Sequence, residues 1–456
     1  MTTDSLSLLL GSAFFLLYIA VSILIGVVAS RRETEEDFMI AGRRVHGIVL
    51  LATMAAGWFD GVTLSIYLAY IYQFGLPALS LFIGISFGFL LFRRFAPRIK
   101  RLADKQKAYT MPEYFYHVLG KRNGIMFSIF LIVQFFGYLT INFILSGKVL
   151  SQLFPFLQHG YAVMVGGAII LSYLLLAGFK AVVRTDFYQL LIMILMTLMV
   201  AGFLAGSAEV GAADIDVGKM GAGNIIGFLV IAGFGVMVAP DIWQRLFAAR
   251  DEATLKTGFG YTAIVLPVLA LVITVAGLAT KRQIPGIPAE DALVQAFSRL
   301  LPFGAREFGM VLLYAVSLSS SDTVTFVVSS ILTRDLKNYS ARFSEESMTR
   351  LTRIFMVVFV CLAAVLAIFF QRIVHIALSL GSLNLALFPV VFASIFWGLN
   401  KSAVFWSLVV VLLSVAGLSL SGSLDPETAA LSLPIGFIAL VGFHLVFRLR
   451  KAAVAQ

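Results

Sequence analysis

The sequence predicts an all-α polytopic membrane protein, and three observations carry that reading. Of 456 residues, 60% are hydrophobic and only 13% are charged, more apolar surface than a water-soluble chain of this length can bury. The apolar residues fall into repeated runs of about 20, the length a helix needs to cross a bilayer. No stretch alternates polar and apolar residues over about ten positions, as the strands of a membrane barrel would.

Taken in order, the runs give about 13 transmembrane helices. They are expected at 8–29, 46–74, 77–96, 123–153, 160–179, 183–206, 225–245, 258–280, 307–331, 351–370, 373–397, 401–421 and 432–448. The first run has no basic leader, exceeds a signal-peptide core and is followed at once by Arg31 and Arg32, so it is read as a retained span. Spans two to six and seven to eleven make two groups of five that start on opposite sides of the membrane, the arithmetic of an inverted repeat. The expected organisation is an extra N-terminal helix and loop (1–45), a first five-helix repeat (46–206), a second (207–400), and two peripheral helices with a basic tail (401–456). The loops 207–224 and 281–306 are short enough to act only as lids or caps.

Charge sets the expected orientation. With the N-terminus outside, 27 of the 34 Lys and Arg fall in cytoplasmic segments, Arg245 among them in the loop after span seven. An excess of basic residues in inside loops fixes the topology of helical membrane proteins, so the net charge of +10 points to the membrane rather than to nucleic acid. The C-terminus is expected in the cytoplasm and the location is a bacterial inner membrane. The lone Cys361 sits in an apolar run and is expected to be buried packing. No GxxxxGK[ST] occurs and the five histidines are scattered without an HExxH pair, so neither a nucleotide-driven engine nor a metalloenzyme is expected.

Three carboxylates stand where lipid should be: Asp60 in span two, Asp186 near the start of span six and Asp322 in span nine. A charge at membrane depth costs at least ~2.5 kcal/mol, so such groups face a cavity and serve function. No Lys or Arg is expected at their depth, which leaves a proton or an external cation as the partner. In span nine, Ser319, Asp322 and Thr323 share one helical face, with Ser320 beside them. Such an oxygen cluster suits a hard cation, although serines in membrane helices also bond back to carbonyls. In span two, Gly57 and Gly61 bracket Asp60. That reads as a helix broken at mid-membrane or as a glycine packing notch. Thr185 and Asp186 can equally cap the helix that follows them.

Five segments then resemble one family, the sodium/solute symporters. "DFMIAGRR" (37–44) is similar to its D-[FY]-x-x-A-G-R, and "AGWFDGVTL" to its "ATWFSASSF". "AGFKAVVRTDFYQ" resembles "GGLKAVVxTDxxQ", and "APDIWQRLFAARD" resembles P-x-x-x-x-R-x-x-A. "SLSSSDTVTFVVSSILTRDL" is similar to "xMSTxDSxLLxxSSxxTRDL". The resemblance runs in order from residue 37 to about 400. It implies a LeuT-type core of two inverted five-helix repeats. It implies a sodium site made of the carbonyls of Ala56, Phe59 and Val316 and the hydroxyls of Ser319 and Ser320. A second ion, found in some members, would use Asp186, Ser319, Asp322 and Thr323. The solute would lie among Asp60, Thr63, Tyr138, Asn142, Phe234, Ser379, Ser382 and Asn384. The sequence departs from the family where Asp60 replaces a serine and where Ala232 and Val236 replace pocket aromatics, so solute identity does not carry over.

The expected function is import of a small polar solute with one or two Na+ ions, with an amine-bearing solute favoured by Asp60. Proton coupling through Asp60 or Asp322 is the first alternative, and a solute sensor acting with a partner protein is the second. A small solute and the lipid bilayer are the expected partners, nucleic acid is not, and a monomer suffices.

Overall fold

The computed structural model describes residues 3–29, 34–339, 344–370, 372–422 and 424–454. Arg31, Arg32 and Arg342, counted above among the inside cations, lie outside them. Among the described residues the chain is almost wholly helical, and the only β-type contact is an isolated bridge between Val45 and Ala249. Eleven helices are long and apolar enough to cross a membrane, and two further pairs do so as bent spans, giving up to 13. Several helices outrun their apolar cores. Span three continues to Gln106, where Lys107 ends it in the left-handed conformation at φ 52° with its amide bonded to the Ala103 and Asp104 carbonyls. Span eight runs Glu252–Gln283, its start capped by the Asp251 side chain on the Thr254 amide.

Both bent spans break where the sequence cannot continue a ladder. Span two is Gly47–Ala56 followed by Gly61–Phe74, bent by 56°. The Asp60 carboxylate caps the second half by accepting from the Thr63 amide at 2.8 Å. Span seven is Ala222–Val238 followed by Pro240–Ala248, bent by 43°. Here Ala239 is extended, as the residue before a proline tends to be, and Pro240 brings no amide. The two breaks occupy the same ordinal place in the two groups of five.

Spans five and six are separated by Gly178 at φ +54°, whose missing side chain leaves room for the Phe38 ring. Span nine, Ala305–Asn338, is wholly buried through its most apolar 18 residues, with only its two ends partly exposed. It is wrapped by Lys121–Leu153, by the 159–204 helices, by Glu345–Phe369 and by the first span. The first and last spans are mostly exposed. Span ten keeps one open face, and Cys361 lies exposed on it rather than buried as expected.

Candidate functional site

The two breaks face a shared cavity of about 80 Å³, lined as well by spans four, nine and eleven. Five expected solute residues line it: Asp60, Thr63, Tyr138, Asn142 and Asn384. Three do not. Phe234 packs on Phe388 with ring centroids 4.4 Å apart, Ser379 donates back to the His375 carbonyl, and the Ser382 hydroxyl is buried without a partner. Sequence reasoning missed Trp58, Gln134, Phe135 and Asp241, which do line the cavity. Asn142 donates to the Tyr138 carbonyl at 3.0 Å and Asn384 to the Gly235 carbonyl at 3.1 Å. Those bonds identify which amide atom is oxygen, and both oxygens are buried with no hydrogen-bond partner in the protein.

The break in span two also frees backbone oxygens. Residues 57 to 59 fold back onto the carbonyls of Thr53 and Ala55, so no backbone bond closes on those of Ala56 and Phe59. The Ser320 hydroxyl lines the same cavity, buried and without a partner. Ser319 points elsewhere and donates to Gln189 of span six at 2.5 Å. Val316 sits in the unbroken helix of span nine. Ser317 and Ser321 bond back to carbonyls one turn earlier. Gly61 meets span nine closely, since a side chain there would reach the Ser317 Cα at 3.0 Å.

The expectation that no cation reaches the buried carboxylates is overturned. Arg245 is 0% exposed and belongs to the second half of span seven, not to a loop. Its Nη1 donates to Asp241 Oδ2 at 3.0 Å and its Nη2 to Asp186 Oδ2 at 3.1 Å. Its Nε donates to the Thr53 hydroxyl at 2.7 Å, and its Nη2 also reaches the Thr323 hydroxyl at 3.3 Å. The Thr53 hydroxyl in turn donates to Asp186. The chain enters this depth because Pro240 restarts the helix inside the protein. The signal available in the sequence was Asp241 and Arg245, one turn apart directly after a proline.

Asp186 is not a cap, for its helix runs through it. Asp322 accepts from the Tyr173 hydroxyl at 2.8 Å and from Thr185 at 3.3 Å. The second oxygens of Asp186 and Asp322 are both buried without a partner. The expected second-ion set is thus brought together in part: Asp186 and Thr323 meet through Arg245, Asp322 stands beside them, and Ser319 is turned to Gln189.

Ion pairs close both ends of the bundle. At the basic end Arg334 bridges Glu35 at 2.8 Å and Glu113, with Lys337 also on Glu35 at 3.1 Å. At the other end the loop helix Ala212–Ile215 is tied to span eight by Asp214, 2.7 Å from Lys281 and 2.5 Å from Arg282.

Comparison with known proteins follows the same outline. The model of the Sodium:solute symporter family matches residues 38–410. The osmoregulated proline transporter of Bacillus subtilis is 26% identical over 379 residues, covering 77% of this chain and 76% of that protein. The sodium/pantothenate symporter of Haemophilus influenzae is 24% identical over 332 residues, covering 68% of each. Among solved structures, a substrate-bound, outward-open Na+-coupled sialic acid symporter superposes with a TM-score of 0.78 at 15% identity, covering 96% of this chain and 97% of that one. A nucleobase-cation-symport-1 family transporter in a closed conformation gives 0.60 at 12% identity, covering 89% and 93%.

Proposed function

The chain belongs to the sodium:solute symporter family and is a multi-pass, LeuT-fold transporter that couples sodium to the movement of a small solute, and from that premise we propose which residues hold the ion and what kind of solute it carries. The sodium ion sits at the break of span two, on the carbonyls of Ala56, Phe59 and Val316 and the hydroxyls of Ser319 and Ser320. The observation that carries this reading is the convergence of partnerless oxygens, the Ala56 and Phe59 carbonyls and Ser320 Oγ, around one helix break. Hard cations want such a shell. Ser319 joins it by releasing Gln189.

The solute binds next to the ion, against Asp60, Thr63, Tyr138, Asn142 and Asn384, and is amine-bearing. Repeats 46–206 and 207–400 form the core, the basic end faces the cytoplasm, and the chain works as a bacterial inner-membrane importer. Sodium stiffens the break and prepares the solute seat, so each ligand raises the affinity for the other. Asp186, Asp322 and Thr323 form a second cation position, which Arg245 already serves in part.

The test is uptake into proteoliposomes at fixed pH with sodium replaced by potassium. Uptake should collapse without sodium, and uptake that persists and follows a proton gradient would assign coupling to Asp322 or Asp60 instead. Asp322 keeps that second reading alive, because no cationic side chain bonds it among the described residues.

A further inference from the structure

The second half of span two starts at Gly61 and runs 14 residues to Phe74, so its first amides and its positive dipole end point into the cavity. In a broken-helix transporter that end is the natural seat for a solute's carboxylate. Here the seat is taken. Asp60 lays its own Oδ1 on the Thr63 amide at 2.8 Å.

The rest of the wall offers an anion only neutral donors, from Trp58, Gln134, Tyr138 and Ser320, and no countercharge. Among the described residues no Lys, Arg or His lines the cavity. Each of the three nitrogens of Arg245, the nearby guanidinium, is committed to Thr53, Asp241, Asp186 or Thr323. A second carboxylate, Asp241, lines the wall together with Asp60. The side-chain oxygens of Asn142 and Asn384, 1% and 6% exposed as residues, are acceptors without donors. Trp58, Phe135 and Tyr138 add aromatic rings, surfaces that attract a cation. Arg245 is shared between Asp241 and Asp186. With one sodium ion at the break, the three carboxylates Asp60, Asp241 and Asp186 therefore face two cations, and one negative charge is left for the solute.

We propose that Asp60 stands in for the carboxylate an amino-acid solute would bring, so that the transported solute is a small organic cation without a carboxylate. This rests on the symport reading above and narrows its solute class.

The experiment measures thermal stabilisation of the purified wild-type protein, in sodium and in potassium, by matched pairs: agmatine and arginine, cadaverine and lysine, pyrrolidine and proline, choline and glycine betaine. At least one carboxylate-free member should stabilise the protein in sodium, and its carboxylate-bearing partner should bind at least tenfold more weakly. Asp60→Asn keeps an oxygen for the Thr63 amide but drops the charge, and should weaken the cation at least tenfold. Asp60→Gly reopens the helix end and should shift preference toward the carboxylate-bearing partner. A carboxylate-bearing member that binds the wild type as tightly as its amine would overturn the assignment while leaving sodium symport intact. Absence of any shift from the four cations also overturns it. Cation binding equal in sodium and potassium would instead strike at the sodium-coupled reading.

Discussion

Arg245 Nη2 lies 3.1 Å from Asp186 Oδ2 with both side chains almost wholly buried, joining the second half of span seven to span six. The same guanidinium holds Asp241 on the cavity wall and Thr53 in the first half of span two. A single cation therefore touches both broken spans and the helix that carries one of the candidate ion ligands.

Breaking that pair from one side should be costly, because it strands a charge in a buried place. Arg245→Gln and Asp186→Asn are each expected to destabilise the protein by roughly 3–5 kcal/mol. The double variant should cost clearly less than the two singles together. Thermal denaturation of the four proteins in one detergent completes the cycle, and strict additivity would mean the contact carries no weight.

Ser320 separates an ion ligand from a packing hydroxyl. Its oxygen makes no well-formed hydrogen bond, although Asp60 lies close to it, so Ser320→Ala should change the melting temperature in potassium only slightly. The sodium concentration for half-maximal stabilisation should rise about tenfold, the ~1.4 kcal/mol of one lost oxygen ligand. Ser319→Ala should raise it as well, after freeing Gln189. Unaltered sodium titrations in both variants would remove these serines from the site.

Asp214 gives the loop at the far end a pH limit. Burial works to raise its pKa, but the Lys281 hydrogen bond, the Gly211 amide and the Lys281 and Arg282 charges outweigh it and hold the carboxyl below its ordinary value of 3.8. A carboxylate with a depressed folded pKa contributes stability above its unfolded value and loses it as pH falls through the folded one. The tie between 211–221 and span eight should therefore persist at mildly acidic pH and fail only below 3.8. Hydrogen exchange of that loop across a pH series reads this out, and Asp214→Asn should show the loosened loop at neutral pH.

Gly88 marks the closest approach of spans three and seven. A Cβ there would strike the Gly233 carbonyl and come within 2.9 Å of Val236 Cβ. Gly88→Ala should cost roughly 1–3 kcal/mol through overpacking. Gly202→Ala, in a helix with nothing within 4 Å of the new carbon, should be neutral or slightly stabilising. Equal melting temperatures for the two variants would refute the tight interface.

Much of this architecture was readable because membrane helices announce themselves by length, and a Gly-Asp-Gly neighbourhood announces a break. Position within the bundle was harder. Phe234 belongs to a run, Ala222–Val238, whose one polar side chain, Asn224, stands at its outer start, so no polar marker near Phe234 shows which face meets the cavity. Arg245 stands five residues before Arg250 in the linear chain and so passed for a loop cation. Only the bend at Ala239 carries it under the bundle. Asp241 was hidden for the same reason. Trp58 lies inside the break itself, where helical periodicity says nothing about direction.

The burial of span nine bears on how the protein is made. Its best apolar window has a mean hydropathy of 1.5, the lowest of the 11 helices that qualify as membrane spans, and it carries Asp322 with a cluster of hydroxyls. A segment that polar partitions weakly into lipid when it leaves the insertion machinery alone. Its proper solvent is the protein, supplied by spans one, four, five, six and ten, of which all but the last are synthesised before it. Biogenesis should thus hold the earlier helices open as a half-built sleeve until span nine arrives, and chains from which spans four to six are deleted should insert span nine less completely than the full chain does.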